Sequence, residues 1–103
     1  MMIARWQIDA RFGQKQAVID RLRDWSNRIA PEAGLPPAKG TLLTGSIGAL
    51  EATVEHNWEV AGLAELERVW AKLATLPAHQ QWGNELEPFV VSGTSRWTVY
   101  RVL

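Results

Sequence analysis

The spacing between apolar residues changes along this chain from two residues to three or four, and it does so twice. Apolar and polar side chains alternate from Met2 to Arg11 and, most clearly, from Leu50 to Val60. Each of these runs is followed by an apolar stripe at helical spacing: Val18, Leu22, Trp25 and Ile29, and then Leu63, Leu66, Trp70 and Leu73. Alternation predicts a strand and the wider spacing predicts an amphipathic helix, so the chain must combine both.

Proline and glycine mark where the first helix and the central hairpin end. The segment 31–37 contains three prolines and a glycine, and it ends a first helix predicted over about 14–30. A second extended run begins at Lys39, and Gly45 and Gly48 separate it from the alternating run that ends at Val60. Glycines between two β-like runs predict a hairpin.

The remaining elements follow the second apolar stripe. Pro77 ends the second helix, and Trp82 and Leu86 predict a short helical return before Pro88. The last run, 93–103, is rich in β-branched and aromatic residues and predicts a terminal strand. The predicted order is therefore β-α-β-β-α-β in a single domain over residues 1–103.

Two right-handed β-α-β crossovers interlock in one antiparallel sheet in only one way. They give the strand order 4-1-3-2 with both helices on the same face. The predicted fold is a ferredoxin-like α+β sandwich.

Composition excludes several classes of function. The 103 residues include eleven Lys or Arg, eleven Asp or Glu, and no cysteine. No basic run favours a nucleic-acid or membrane-surface partner, and the charged start of the chain is unlike a secretory signal. Disulfides and thiolate chemistry are excluded, and a soluble cytoplasmic protein is expected.

Two helices leave one face of the predicted sheet uncovered. That face carries both signs of charge together with apolar groups, which is typical of a surface that meets a copy of itself. A solvated monomer is the alternative, since antiparallel sheets often have one wet face. The residues predicted to form a dimer face are Arg5, Asp9, Glu51, Glu55, Asn57, Glu59, Arg96 and Tyr100.

His56 is the candidate general base. Strand alternation places it with Val54 and Trp58 on the helix-facing side, whereas Asn57 points to the opposite face. Histidine titrates near neutral pH, so His56 could accept a proton from an acidic organic substrate. The alternative is a core histidine whose nitrogens are satisfied by backbone or water.

No metal site is expected. The two histidines lack any recognised ligand spacing, and there is no cysteine. Glu51, Glu55 and Glu59 form a row along one strand, but positions four residues apart lie about 13 Å from each other, too far to share a metal or a proton. Ion pairs with arginines are the preferred interpretation of this row.

The run "IGALEATVEHNWEVAGLAELERVWAKL", followed by Trp82 and the closing "GTSRWTVYRVL", resembles the NIPSNAP family, which belongs to the dimeric α/β-barrel superfamily. The resemblance implies a homodimer whose two sheets close into a barrel. Relatives in the superfamily include cofactor-free monooxygenases, haem-degrading enzymes and small isomerases, with pockets between sheet and helices. Haem-degrading relatives use an asparagine, and the first strand here offers Arg5, Gln7 and Asp9 instead, so no cofactor is expected.

Six tryptophans are numerous for this length, and most lie on predicted apolar faces or stripes. Core packing is the simpler explanation, and a flat aromatic ligand stacked between sheet and helices is the alternative. The residues expected to line such a pocket are Trp6, Trp58, Trp70, His79 and Trp82. We therefore expect a protein that binds a hydrophobic small molecule or serves in assembly; the alternative is a cofactor-independent monooxygenase or isomerase.

Overall fold

A computed structural model describes all residues, 1–103. Four strands form one antiparallel sheet: β1 (Met2–Asp9), β2 (Gly40–Thr44), β3 (Thr53–Val60) and β4 (Arg96–Arg101). Their spatial order is β2-β3-β1-β4, which is the predicted order read from the other edge. The predicted ferredoxin-like α+β sandwich is thus confirmed.

Three α-helices connect the strands: α1 (Lys15–Asp24), α2 (Leu63–Leu73) and α3 (Pro77–Leu86). The first helix does not stay regular to residue 30 as predicted, because it changes to a π-helical turn over Trp25–Ile29. Short 3-10 turns follow at Ala30–Ala33, Pro37–Lys39 and Glu87–Phe89. The return before Pro88 is a ten-residue helix, longer than the short element predicted from its two apolar anchors.

The core lies between the sheet and these helices. Alternation turns the even-numbered residues of β1 and β3 towards the helices, and Ala4, Ile8, Val54 and Val60 among them are buried. None of the helices combines the length and the hydrophobicity that a membrane-spanning segment needs.

Trp58 is the largest fully buried side chain, and small residues make room for it. Its cross-strand neighbours are Ala4 on β1 and Gly40 on β2. A Cβ atom on Gly40 would lie 2.7 Å from the Trp58 ring, closer than van der Waals contact allows. The indole therefore lies flat over the backbone of β2, which fixes one wall of the space beneath the helices.

The opposite face of the sheet carries no helix. Arg5 at its centre donates from Nε to Oδ1 of Asn57 at 3.0 Å and lies 3.4 Å from a carboxylate oxygen of Glu55. The Arg5 guanidinium also lies over the ring of Tyr100, 5.2 Å from its centroid. The basic first strand and the acidic third strand are thus paired within one chain, where they are neighbours.

Candidate functional site

A cavity of about 380 Å³ lies between the sheet and the helices. All six tryptophans and both histidines of the chain line it. The other lining residues are Leu22, Leu73 and Ala74, so no lysine, arginine, aspartate or glutamate contributes to the wall. The cavity is therefore aromatic, and its only titratable groups are the two imidazoles.

The sheet contributes one wall through its register. Trp6 on β1 is paired with His56 on β3 and with Trp97 on β4, and His56 is paired with Leu42 on β2. These four side chains form a row across the sheet on the face that the helices cover. Trp58 lies two residues along β3 from His56, with its ring centroid 4.4 Å from the imidazole.

The helices supply the opposite wall, and Trp25 lies at its centre. Trp25 is the first residue of the π-helical turn, a rare geometry that often occurs at functional sites. Its ring contacts four other rings edge-on or tilted, with centroid distances between 5.8 and 6.1 Å: His56, Trp58, His79 and Trp82. Trp25 therefore joins the sheet side of the cavity to α3.

Hydrogen bonds hold three of the indoles in place. Trp25 donates to Nδ1 of His79 at 3.0 Å, Trp82 donates to the backbone oxygen of Arg21 at 2.7 Å, and Trp6 donates to the Ser95 hydroxyl at 2.8 Å. Because an indole can only donate, Nδ1 of His79 is an unprotonated acceptor and the proton of the neutral ring is on Nε2. Burial lowers the pKa of His79, which keeps this neutral form.

His56 differs from His79 because its ring has no protein partner. Its side chain makes no hydrogen bond, although the residue is only 3% exposed. No fully enclosed side-chain nitrogen or oxygen in the structure lacks a partner, so the imidazole nitrogens of His56 must be reachable from the cavity. Burial lowers the pKa of His56 to about 4, and the ring is therefore neutral at physiological pH.

Trp70 and Trp97 lie at the mouth of the cavity. They are 40% and 41% exposed, and their rings meet edge to face with centroids 5.5 Å apart. This pair spans from α2 to the edge strand β4, where the cavity opens to solvent.

The five residues expected to line a pocket, Trp6, Trp58, Trp70, His79 and Trp82, all contact this cavity. Sequence reasoning missed Trp25 and Trp97. Trp97 could have been placed by pairing the last strand with the first, since it lies opposite Trp6. Trp25 could have been placed as well, because the apolar stripe of the first helix that includes Leu22 and Trp25 faces the sheet.

The residues predicted for a dimer face lie on the open side of the sheet, with one exception. Seven are on strands β1, β3 and β4: Arg5, Asp9, Glu55, Asn57, Glu59, Arg96 and Tyr100. Glu51 instead precedes β3 and pairs with Lys15 at 3.2 Å, at the end of the sheet.

His56 and Asn57 point to opposite faces of the sheet, so they do not share a site. No group of three or more histidine, aspartate or glutamate side chains is placed to hold a metal ion.

The pKa of His56 predicts how stability depends on pH. Between pH 6.5 and about 4 the unfolded chain binds a proton that the folded chain excludes, so stability falls as pH falls through this range. From pH 7 to pH 5 we expect this group to cost about 2 kcal/mol of unfolding free energy. Urea unfolding at both pH values should show that His56→Phe is less pH-sensitive than the natural protein by about this amount. Identical pH dependence in the two proteins would contradict the assignment.

No family model matches this chain, and no curated protein matches it. Several solved structures, however, are similar to this chain over its full length. A NIPSNAP family protein from Agrobacterium tumefaciens aligns with 100% of this chain and 94% of its own, at a TM-score of 0.76 and 24% identity. An uncharacterized NIPSNAP domain protein from Burkholderia xenovorans aligns with 100% of this chain and 95% of its own, at a TM-score of 0.70 and 14% identity.

A proposed antibiotic biosynthesis monooxygenase from Nitrosomonas europaea also has this architecture. It aligns with 100% of this chain and 99% of its own, at a TM-score of 0.67 and 8% identity. Identities this low establish a common fold and leave function open. The resemblance to NIPSNAP proteins is confirmed in this sense: the chain has the fold shared by NIPSNAP proteins and monooxygenases of this type.

Proposed function

We propose that the protein binds a flat, uncharged, largely apolar small molecule in the tryptophan-lined cavity. The observation that carries this proposal is that every tryptophan and histidine of the chain lines one cavity whose wall has no charged residue. A cavity of about 380 Å³ is at the lower end of the range for small-molecule sites, about 300–1,000 Å³. Aromatic walls favour a planar ligand, because each stacked or edge-on ring contact adds about 0.5–1.5 kcal/mol beyond area burial.

Core packing alone is a poor explanation of this arrangement. Cores usually fill their space, and a void loses the contacts that its lining would otherwise make. Two of the tryptophans, Trp70 and Trp97, are also substantially exposed at the mouth. Large aromatic groups kept partly in water around an open cavity are better explained by a ligand that covers them.

Ala74 offers a direct test, because it lines the cavity and is itself exposed. We expect naphthalene to shift the indole N–H signals of the natural protein in a ¹H–¹⁵N NMR titration. Ala74→Phe should weaken this binding at least tenfold by filling the opening. Ala71→Phe is the matched control, since Ala71 is exposed on α2 three residues earlier and lies outside the cavity, and it should bind within about twofold of the natural protein. Equal binding by both variants would place the ligand elsewhere.

A second candidate is a cofactor-independent oxygenase or isomerase with His56 as the general base. The unpartnered imidazole in the cavity favours it, as does the fold shared with the proposed monooxygenase. The low pKa of His56 argues against this enzyme candidate. Proton transfer from a phenol of pKa about 10 to a ring of pKa about 4 is uphill by about 8 kcal/mol. We therefore propose small-molecule binding ahead of catalysis as the function of this cavity.

Oxygen consumption separates these two candidates. In cofactor-free oxygenation 2-naphthol and O₂ would give 1,2-naphthoquinone and water, with the naphthol itself as the reductant. We expect an oxygen electrode to record no uptake above the protein-free rate when protein and 2-naphthol are mixed. Uptake that the protein accelerates and that His56→Phe abolishes would establish the enzyme instead.

We also propose that the protein is a homodimer that pairs through the open face of the sheet. Support comes from the apolar groups around the paired charges of that face: Leu43, Tyr100 and Val102 are exposed there. The charges at its centre are already paired within the chain, so apolar contact at the rim would supply the attraction. A cytoplasmic location remains a prediction from the sequence.

Leu43 is the sharper probe of this interface, because Glu55 already has a partner in Arg5. Light scattering at micromolar concentration should give a dimer for the natural protein. Leu43→Arg should give a monomer, since a two-fold interface brings both copies of the new charge together. The control Leu63→Arg introduces the same charge at an exposed position on α2 and should remain dimeric. A monomeric natural protein would refute the proposal.

A further inference from the structure

We infer that the cavity recognises an aromatic molecule through one hydroxyl group, which donates a hydrogen bond to His56 and accepts one from the indole N–H of Trp58. This inference rests on the proposed binding function and specifies the ligand. The two side chains lie on the same face of β3, two residues apart, with ring centroids 4.4 Å from each other.

His56 supplies the acceptor. The neutral imidazole has one bare nitrogen and one N–H, and neither has a partner in the protein. The residue is 97% enclosed and lines the cavity, so the cavity is where these nitrogens can be reached. Water can reach these nitrogens through the cavity, so a ligand that displaces it without loss of affinity must replace its hydrogen bonds, as a hydroxyl can.

Trp58 supplies the donor. Its indole N–H has no hydrogen bond, in contrast to those of Trp6, Trp25 and Trp82. Trp58 is 98% enclosed, and no fully enclosed side-chain nitrogen in the structure lacks a partner. Its N–H is therefore also reachable from the cavity that the ring lines.

The bare nitrogen of His56 and the N–H of Trp58 lie beside each other and match a hydroxyl, which offers a donor and an acceptor on one oxygen. A carboxylate or phosphate fits poorly, because it only accepts and because no cation in the wall balances its charge. An ammonium group fits poorly for the converse reason. The chemical class is thus an uncharged aromatic alcohol or phenol.

Three probes of one ring system test this inference: naphthalene, 2-naphthol and 2-methoxynaphthalene. Affinities come from ¹H–¹⁵N NMR titration of the indole N–H signals at pH 7, where a phenol of pKa about 10 is uncharged. We expect the natural protein to bind 2-naphthol about tenfold more tightly than either of the others. The Trp58 indole signal should move downfield with 2-naphthol and not with naphthalene, which has no oxygen to accept a hydrogen bond.

Two variants assign this preference to the two side chains. His56→Phe and Trp58→Phe, which keeps a ring but loses the N–H, should each reduce the preference for 2-naphthol in part, because each variant keeps one of the two hydrogen bonds. His56→Gln restores an acceptor and should recover part of the preference, so that a general packing defect is distinguished from a lost hydrogen bond. Near-ultraviolet circular dichroism checks that each variant is folded.

The possible failures differ. If all three probes bind the natural protein equally, hydroxyl recognition is refuted and the proposed binding function stands. If none binds, both are refuted.

Discussion

The cavity depends on the register between the strands. Because β1 is paired with both β3 and β4, Trp6 lies between His56 and Trp97 in one row across the sheet. A shift of one residue in either pairing would turn one side of the row to the open face. The small residues Ala4 and Gly40 flank Trp58 in the next row and let its ring lie down against the sheet. The aromatic floor therefore follows from backbone pairing.

The opposite wall is centred on Trp25, where the first helix becomes irregular. The π-helical turn begins at Trp25, whose ring contacts those of both histidines and whose N–H bonds to His79. This contact fixes the tautomer of His79, whereas His56 remains without a protein partner. The two histidines of the cavity thus differ: His79 is hydrogen-bonded to the wall, and His56 has no protein partner.

Strand alternation was sufficient to predict most of the fold. It placed His56 and Trp58 on one face of the third strand and Glu55 and Asn57 on the other. The order of strand-like and helix-like spacings along the chain was sufficient to predict the topology, because only one arrangement of the crossovers is possible. The π-helical turn could not be predicted, because residues 18–29 show the spacing of a continuous amphipathic helix. The hydrogen-bond partners of the two histidines could not be predicted either, because they depend on how side chains of elements far apart in sequence are placed.

The six tryptophans enclose a space that we propose to be a binding site. The most direct test is an anomalous difference map from crystals grown with 2-bromonaphthalene, since bromine marks the position of the ring without reference to the protein's own signals. We expect one bromine peak between the sheet and the helices, in van der Waals contact with the tryptophan rings. Crystals with an empty cavity, or with bromine only on the open face of the sheet, would contradict it.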